Sequence, residues 1–153
     1  FKFLEVNRPN CITVNSVIGM DEGQTKVFYT FDSPGSWEIG MSCMQGTKCG
    51  KNDEEALAYA KIYSEGVFQK HDVTVHRLSS LFTTYGFDDF GWIMVDVEGA
   101  EDAVISTIDF HRIRADFVSY EGNHAGAAKH LRDSGYVKKF QAGLDSFFLR
   151  ENA

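Results

Sequence analysis

No apolar run in this chain approaches the roughly 20 residues that a bilayer-spanning helix requires, which excludes a helical membrane span. The opening stretch Phe1-Lys2-Phe3-Leu4-Glu5 is too short and too interrupted by charge to serve as a secretory signal. The chain does not start with Met, and an upstream segment is therefore expected to be missing. Cysteine is scarce: Cys11, Cys43 and Cys49 form no Cys-x-x-Cys and have no His at zinc-finger spacing, which argues against a structural zinc site. They read mainly as free thiols in a reducing, cytoplasmic compartment, with a Cys43–Cys49 bridge as the less favoured alternative. Basic residues are outnumbered, 15 Lys and Arg against 22 Asp and Glu, for a net charge of −7. A surface of that sign repels phosphate backbones and anionic headgroups, so neither nucleic acid nor a membrane surface is expected as a partner. Glycines do not spell Gly-x-Gly-x-x-Gly or a P-loop, and no serine sits in a Gly-x-Ser-x-Gly elbow. Phosphate cradling and elbow-type serine hydrolysis thus lack local support.

What is present suits a folded α/β domain. The 153 residues are 43% apolar and 14% aromatic, a length and composition expected of one domain spanning 1–153. Phe1 to Asn7 reads as the end of a helix stopped by Pro9. Cys11–Ile18 and Thr25–Phe31 are rich in β-branched and aromatic residues and read as strands. From about 37–52, Gly40, Gly46 and Gly50 interrupt a segment without hydrophobic period, read as an irregular insertion that lies as a mobile lid over the acidic groups discussed below. Asn52 or Asp53 can cap a helix from Glu54 to about Val67, with Ala56, Ala60, Tyr63 and Val67 as its buried stripe. Asp72–Arg77 is a short strand and Ser79–Tyr85 a short helix closed by Gly86.

Trp92–Val97 is nearly continuous in apolar residues, which predicts a strand in the middle of a parallel sheet, buried on both faces. A helix from about Ala100 to Ile108, a strand Asp116–Glu121 and a helix His124–Ser134 follow. Val137–Gln141 and Ser146–Arg150 are joined too tightly for a crossover and form an antiparallel hairpin. The alternation predicts a mostly parallel sheet.

Ligands of open α/β sheets bind at the carboxyl ends of strands, and two such ends here are acidic. Asp96 and Glu98, two residues apart, point the same way in extended backbone; Gly99 permits the turn that follows, and Glu101 falls in the first helical turn. Glu121 ends the next strand, so Asp96, Glu98 and Glu121 can share one crevice, where their mutual repulsion favours a general base or a hard divalent cation. Plainer readings exist for each: Glu101 as a helix N-terminal acid, Asp96 as a helix cap, His124 as an exposed neighbour of a cap. His71 and His76 read as surface residues, and His111 and His130 have no evident partner.

An ordered set of motifs carries a family resemblance. Leu78-Ser79-Ser80-Leu81-Phe82, Tyr85-Gly86, Asp89-Phe90, Ile93 through Glu101 with its Asp-x-Glu-Gly-Ala-Glu core, Val104-Ile105, Ile108-Asp109-Phe110 and Val118-Ser119-Tyr120-Glu121 resemble the FkbM family of S-adenosylmethionine-dependent methyltransferases. Leu131–Tyr136 and Asp145–Leu149 are similar to that family's closing elements. The resemblance implies a Rossmann-like class I methyltransferase fold and O-methyl transfer to a small hydroxylated acceptor, typically a saccharide. It implies that Asp96 and Glu98 line the donor–acceptor crevice with Glu121 beside them, as the catalytic set. Asp96 and Gly99 are the positions expected to touch S-adenosylmethionine. The family's Gly-rich donor loop and ribose-binding acid are not in these residues, so the N-terminal strand–helix–strand unit is expected to be missing. Two other classes stay open: a non-catalytic Rossmann-like interaction module, and a metal-dependent hydrolase using the acidic crevice.

Overall fold

A computed structural model describes residues 6–31, 42–47, 50–63 and 67–151. Twelve elements follow in chain order: β1 (Val17–Ile18), β2 (Thr25–Phe31), β3 (Cys43–Met44), α1 (Asp53–Tyr63), β4 (Phe68–His76), α2 (Leu78–Tyr85), β5 (Asp89–Val95), α3 (Glu101–Ile105), β6 (Arg114–Glu121), α4 (Ala125–Asp133), β7 (Tyr136–Ala142) and β8 (Asp145–Arg150). They build two four-stranded sheets, ordered β1-β4-β2-β3 and β5-β6-β8-β7. No helix among the described residues is long and apolar enough to cross a membrane.

The first sheet is organised by β2 and β4, antiparallel from Thr25↔Thr74 to Phe31↔Phe68. α1 covers it with Ala56 and Ala60, both fully buried against Tyr29 and Phe31. The small side chains let the helix approach two large aromatics closely, which is how a weakly amphipathic helix still contributes a dry contact. Asn52 Oδ1 accepts from the backbone N–H of Glu55 at 2.9 Å, and Glu55 Oε2 accepts from Lys51 N–H at 2.8 Å. This reciprocal pair satisfies donors that the first turn would otherwise leave open. Buried Tyr29 donates to Asp53 Oδ1 at 2.7 Å; desolvation and the neighbouring carboxylate push its phenol up to about 12.

The second sheet carries the larger core. β5 and β6 run parallel, while β8 pairs antiparallel with both β6 and β7. Ile93, Val95, Val118, Tyr120 and Phe148 project from one face and meet Val104, Ile105 and Ile108 from the α3 region and Leu131 from α4. Leu78 and Phe82 of α2 and Ile18 of β1 pack on the same cluster, which ties the first sheet to the second. Tyr136 is buried with its hydroxyl donating to Ala115 C=O at 2.8 Å and accepting from Ala115 N–H at 3.2 Å. Ala115 lies two residues before Phe117, where the pairing of β6 with β8 ends, so the Tyr136 side chain completes the ladder where a strand has run out.

The α/β class and the C-terminal antiparallel hairpin are as expected, but the sheets are mixed. Among the described residues only β1·β4 and β5·β6 are parallel; the other pairings are antiparallel. The apolar strand is not central: β5 is an edge of its sheet, with Ile93 and Val95 buried but Trp92 56% and Met94 64% exposed. Trp92 and Met94 share the exposed face of the strand and Ile93 and Val95 the buried one, so this sequence apolar on both sides is buried on one there. The strand expected over Cys11–Ile18 shrinks to Val17–Ile18, because β4 presents just Val75 and His76 as partners. α1 ends at Tyr63; Val67 lies outside it and is 52% exposed, while the side chain of Tyr63 lies outside the described residues. The helix after Gly99 spans Glu101–Ile105 rather than continuing to Ile108. Val6 and Asn7 are helical, and the rest of that expected helix lies outside the described residues.

The thiol reading also changes. Cys11 is free and exposed, but Cys43 is disulfide-bonded. The only other cysteine in the sequence, Cys49, lies outside the described residues. Disulfides persist in oxidising surroundings, so the free-thiol argument for a cytoplasmic location does not hold for Cys43.

Candidate active site

β5 ends at Val95, and the next five residues, Asp96 to Ala100, turn the chain into α3. The turn needs unusual backbone. Glu98 has φ 55°, the one positive-φ residue other than glycine among the described residues, and Gly99 follows at φ 102°. At Gly99 a Cβ would meet nothing within 4 Å, so glycine is required there for its backbone freedom rather than for space. At the end of β6, Gly122 has φ 87°, and a Cβ there would lie 2.8 Å from His124 Nε2, so both conformation and a close approach call for glycine.

These two turns bring the predicted acids together. One carboxylate oxygen each from Asp96, Glu98 and Glu121 lie within 4.8 Å of one another. Asp96 and Glu98 are exposed, and Glu121 is partly buried. Glu121 is held above the usual carboxyl range, first by desolvation and then by repulsion from Asp96, Glu98, Asp145 and Glu101. A carboxyl held above its usual range is suited to exchange a proton with a ligand.

Beside the cluster lies a cavity of about 290 Å³. Its floor is Asp96, Val97, Glu98, Gly99, Ala100 and Val104; its walls are Val17 and Ile18 of β1, Phe28 of β2, and Ser42, Cys43, Met44 and Thr47. The last four belong to the glycine-bearing insertion and line the same cavity as the acidic turn. That segment is less irregular than expected: Cys43 and Met44 pair with Tyr29 and Phe28 of β2, and Thr47 bridges Gly50. Residues 37–41, 48 and 49 of the insertion lie outside the described residues.

Two residues that the sequence reading set aside prove to organise the site. Glu101 is 1% exposed. Its Oε1 accepts from the N–H groups of Val97 and Gly99, each at 3.2 Å, and its Oε2 accepts from Gly99 N–H at 3.0 Å. His124 Nε2 stands 2.9 Å from Oε2, a hydrogen bond that becomes an ion pair when the ring is protonated. The signal was the spacing of two acidic strand ends, each followed by a polar residue at a helix start; read singly, neither Glu101 nor His124 identifies its partner. Asp96 does not cap α3, whose N-cap is Ala100 without a side-chain hydrogen bond. His130, without an evident partner in sequence, lies 2.9 Å from Ile108 C=O, and His71 and His76 meet Thr30 and Glu22.

The arrangement is an acceptor-rich, anionic rim on a largely apolar cavity. Carboxylates accept hydrogen bonds from hydroxyls and complement a cationic group, and the apolar walls strengthen both effects by excluding water. A family model described as Methyltransferase FkbM domain matches residues 5–142. No curated protein and no solved structure matches the chain.

Proposed function

Because the chain belongs to the FkbM methyltransferase family and is thus a methyltransferase, we propose that it serves methyl transfer from S-adenosylmethionine to a hydroxyl of a small acceptor, a saccharide in first place, on a Rossmann-like frame. The observation that carries the reading is the convergence of Asp96, Glu98 and Glu121 within 4.8 Å, with Asp96 and Glu98 also lining the cavity.

When bound, S-adenosylmethionine supplies an electrophilic methyl group on a positively charged sulfur. The residues present fit that reacting end. Asp96 and Glu98 offer negative charge beside an apolar wall, and Gly99 lets the backbone turn beneath it. The cavity, at about 290 Å³, sits at the lower limit of small-molecule sites and matches a part of such a donor rather than all of it.

This chain's residues have three tasks. Glu98 or Asp96 accepts a hydrogen bond from the acceptor hydroxyl, orients its oxygen and takes its proton as the oxygen gains a carbon. Glu121, readier to hold a proton, shares that proton within the cluster. The cavity walls fix the angle of approach, and alignment of this kind supplies most of the rate gain in a displacement that needs little covalent help. The saccharide preference rests on the family resemblance and on the suitability of several carboxylate acceptors for a hydroxyl-rich ligand.

The test is transfer of a labelled methyl group from S-adenosylmethionine to a panel of free saccharides and other small hydroxylated compounds, with products identified by mass spectrometry. Glu98→Gln and Asp96→Asn should lower turnover by about 10²–10⁴-fold. Stability should move by less than ~0.5 kcal/mol, since both side chains are exposed. Methyl transfer only to nitrogen or sulfur acceptors would sink the hydroxyl reading, and normal turnover in both variants would remove these residues from the mechanism.

A further inference from the structure

We infer that Glu101 and His124 are a positioning pair, which locks the turn after β5 to the turn after β6 and thereby sets the separation of Asp96 and Glu98 from Glu121. The inference rests on the reading of those three acids as the reactive set, and deepens it.

A carboxylate that is 1% exposed is expensive to bury and persists only when its oxygens are satisfied. Glu101 is satisfied by the turn itself. The N–H groups it binds belong to Val97 and Gly99, the two residues that flank Glu98. With both neighbours pinned to one rigid carboxylate, Glu98 is held at φ 55°, a conformation that an unconstrained glutamate avoids. α3 starts at Glu101, so the acid that grips the turn is anchored in a helix.

The other half of the lock comes from β6. His124 follows Glu121 by three residues, and its ring lies over Gly122, where a Cβ would be only 2.8 Å from Nε2. Tyr120 meets the same ring edge-on, with centroids 6.1 Å apart. A hydrogen bond of 2.9 Å then joins this ring to Glu101. A parallel brace runs alongside it: Asp102 Oδ1 accepts from Ala127 N–H at 2.6 Å, which fixes the start of α4 to α3. The site is therefore held by two links between consecutive strand–helix units, one of which touches the residues either side of Glu98.

A role confined to holding the fold would lower stability and leave the chemistry of surviving molecules intact. Positioning makes a different demand, because displacement of a reacting group by about 1 Å can cost on the order of 10²-fold in rate. Four variants separate the two: Glu101→Gln, His124→Ala, His124→Gln and the double variant Glu101→Gln/His124→Gln. The first readout is an NMR titration of the Glu121 side-chain carboxyl carbon, with Asp96, Glu98, Asp145 and Glu101 as the charged groups that face it. The second is methyl transfer from S-adenosylmethionine, resolved into kcat and KM for the donor. His124→Ala should shift the Glu121 titration toward that of an ordinary glutamate, as the acids drift apart, and both it and Glu101→Gln should lower kcat by roughly 10²-fold with KM little changed; because Glu101→Gln also removes a charge that repels Glu121, the titration is decided by the His124 variants. His124→Gln, whose amide can still donate to Glu101, should recover most of both. The double variant should be no worse than Glu101→Gln alone, because the two side chains act as one unit. If Glu101→Gln proves too unstable to purify, the His124 pair alone decides. An unchanged Glu121 titration together with unchanged kcat in His124→Ala would overturn the inference. If the parent protein transfers no methyl group, the proposed function fails while the titration still decides whether the pair positions Glu121.

Discussion

Glu98 pairs an unfavourable backbone with a candidate reacting group, and the two can be separated by substitution. Glu98→Gly and Glu98→Ala both delete the carboxylate, so both relieve the same repulsion with Asp96 and Glu121. They differ in the backbone at φ 55°. Alanine keeps the Cβ that makes left-handed backbone costly, by about 1–2 kcal/mol. Glycine escapes that cost but widens the unfolded ensemble, which offsets about 0.4–1 kcal/mol of the gain. The exposed position loses no core packing in either variant. The glycine variant should therefore be the more stable of the two by about 0.5–1 kcal/mol, or roughly 1–4 °C in Tm for a domain of this size. Thermal unfolding followed by circular dichroism resolves that difference. Both variants should be equally impaired in methyl transfer. An alanine variant as stable as the glycine variant, or more so, would refute the idea that the fold holds Glu98 against its own preference.

Two more outcomes follow from buried or crowded polar groups. Tyr136→Phe keeps the ring but strips Ala115 of the partner for both its N–H and its C=O; at about 1–3 kcal/mol for each orphaned group, a loss of about 2–6 kcal/mol is expected in denaturant unfolding, and a loss below ~0.5 kcal/mol would mean that the hydroxyl does not complete the ladder. The Glu121 carboxyl is raised in the folded state above the ordinary glutamate range, so the folded protein binds that proton more tightly than the unfolded chain; its stabilising effect is present at low pH and is lost as pH rises through the raised value. Glu121→Gln should accordingly match the parent in Tm near pH 4 and exceed it increasingly toward neutrality, and a constant difference across that range would count against the crowding of the acids.

Much of the site was legible because its chemistry is local in sequence. Asp96 and Glu98 share a direction through strand periodicity, Gly99 announces a turn, and Glu121 repeats the pattern one strand later. The lock between Glu101 and His124 was not legible, since it depends on how far apart two helix starts fall in space. The element order was readable from β propensity and glycine punctuation, whereas sheet position was not. Trp92 and Met94 look identical to core residues in composition; only the arrangement of helices decides which face of β5 is covered. The short β1 was over-read for a related reason: residues such as Thr13 and Val14 have the propensity for a strand, but a strand exists only opposite a partner. Cys11 is free as expected, but Cys43 is not, because free thiols and a bridge carry the same sequence signal when spacing is the sole guide.

The register between β5 and β6 bears on how the site comes into being. Asp89 faces Arg114, an offset of 25 residues from 114 − 89, and the same offset holds through Val95 and Tyr120. β7 and β8 are joined by just Gly143 and Leu144, so that hairpin closes over a minimal loop and can form in about 1–10 μs. The pairing that unites Glu98 with Glu121 must instead close a chain segment containing a whole helix, and contacts of that range govern the slow steps of folding. The acids meet only when this parallel pair docks, and they repel as they do so. The assembly of the site should thus lag behind the hairpin in refolding, and a pH that protonates Glu121 should speed it in stopped-flow measurements by removing part of the repulsion.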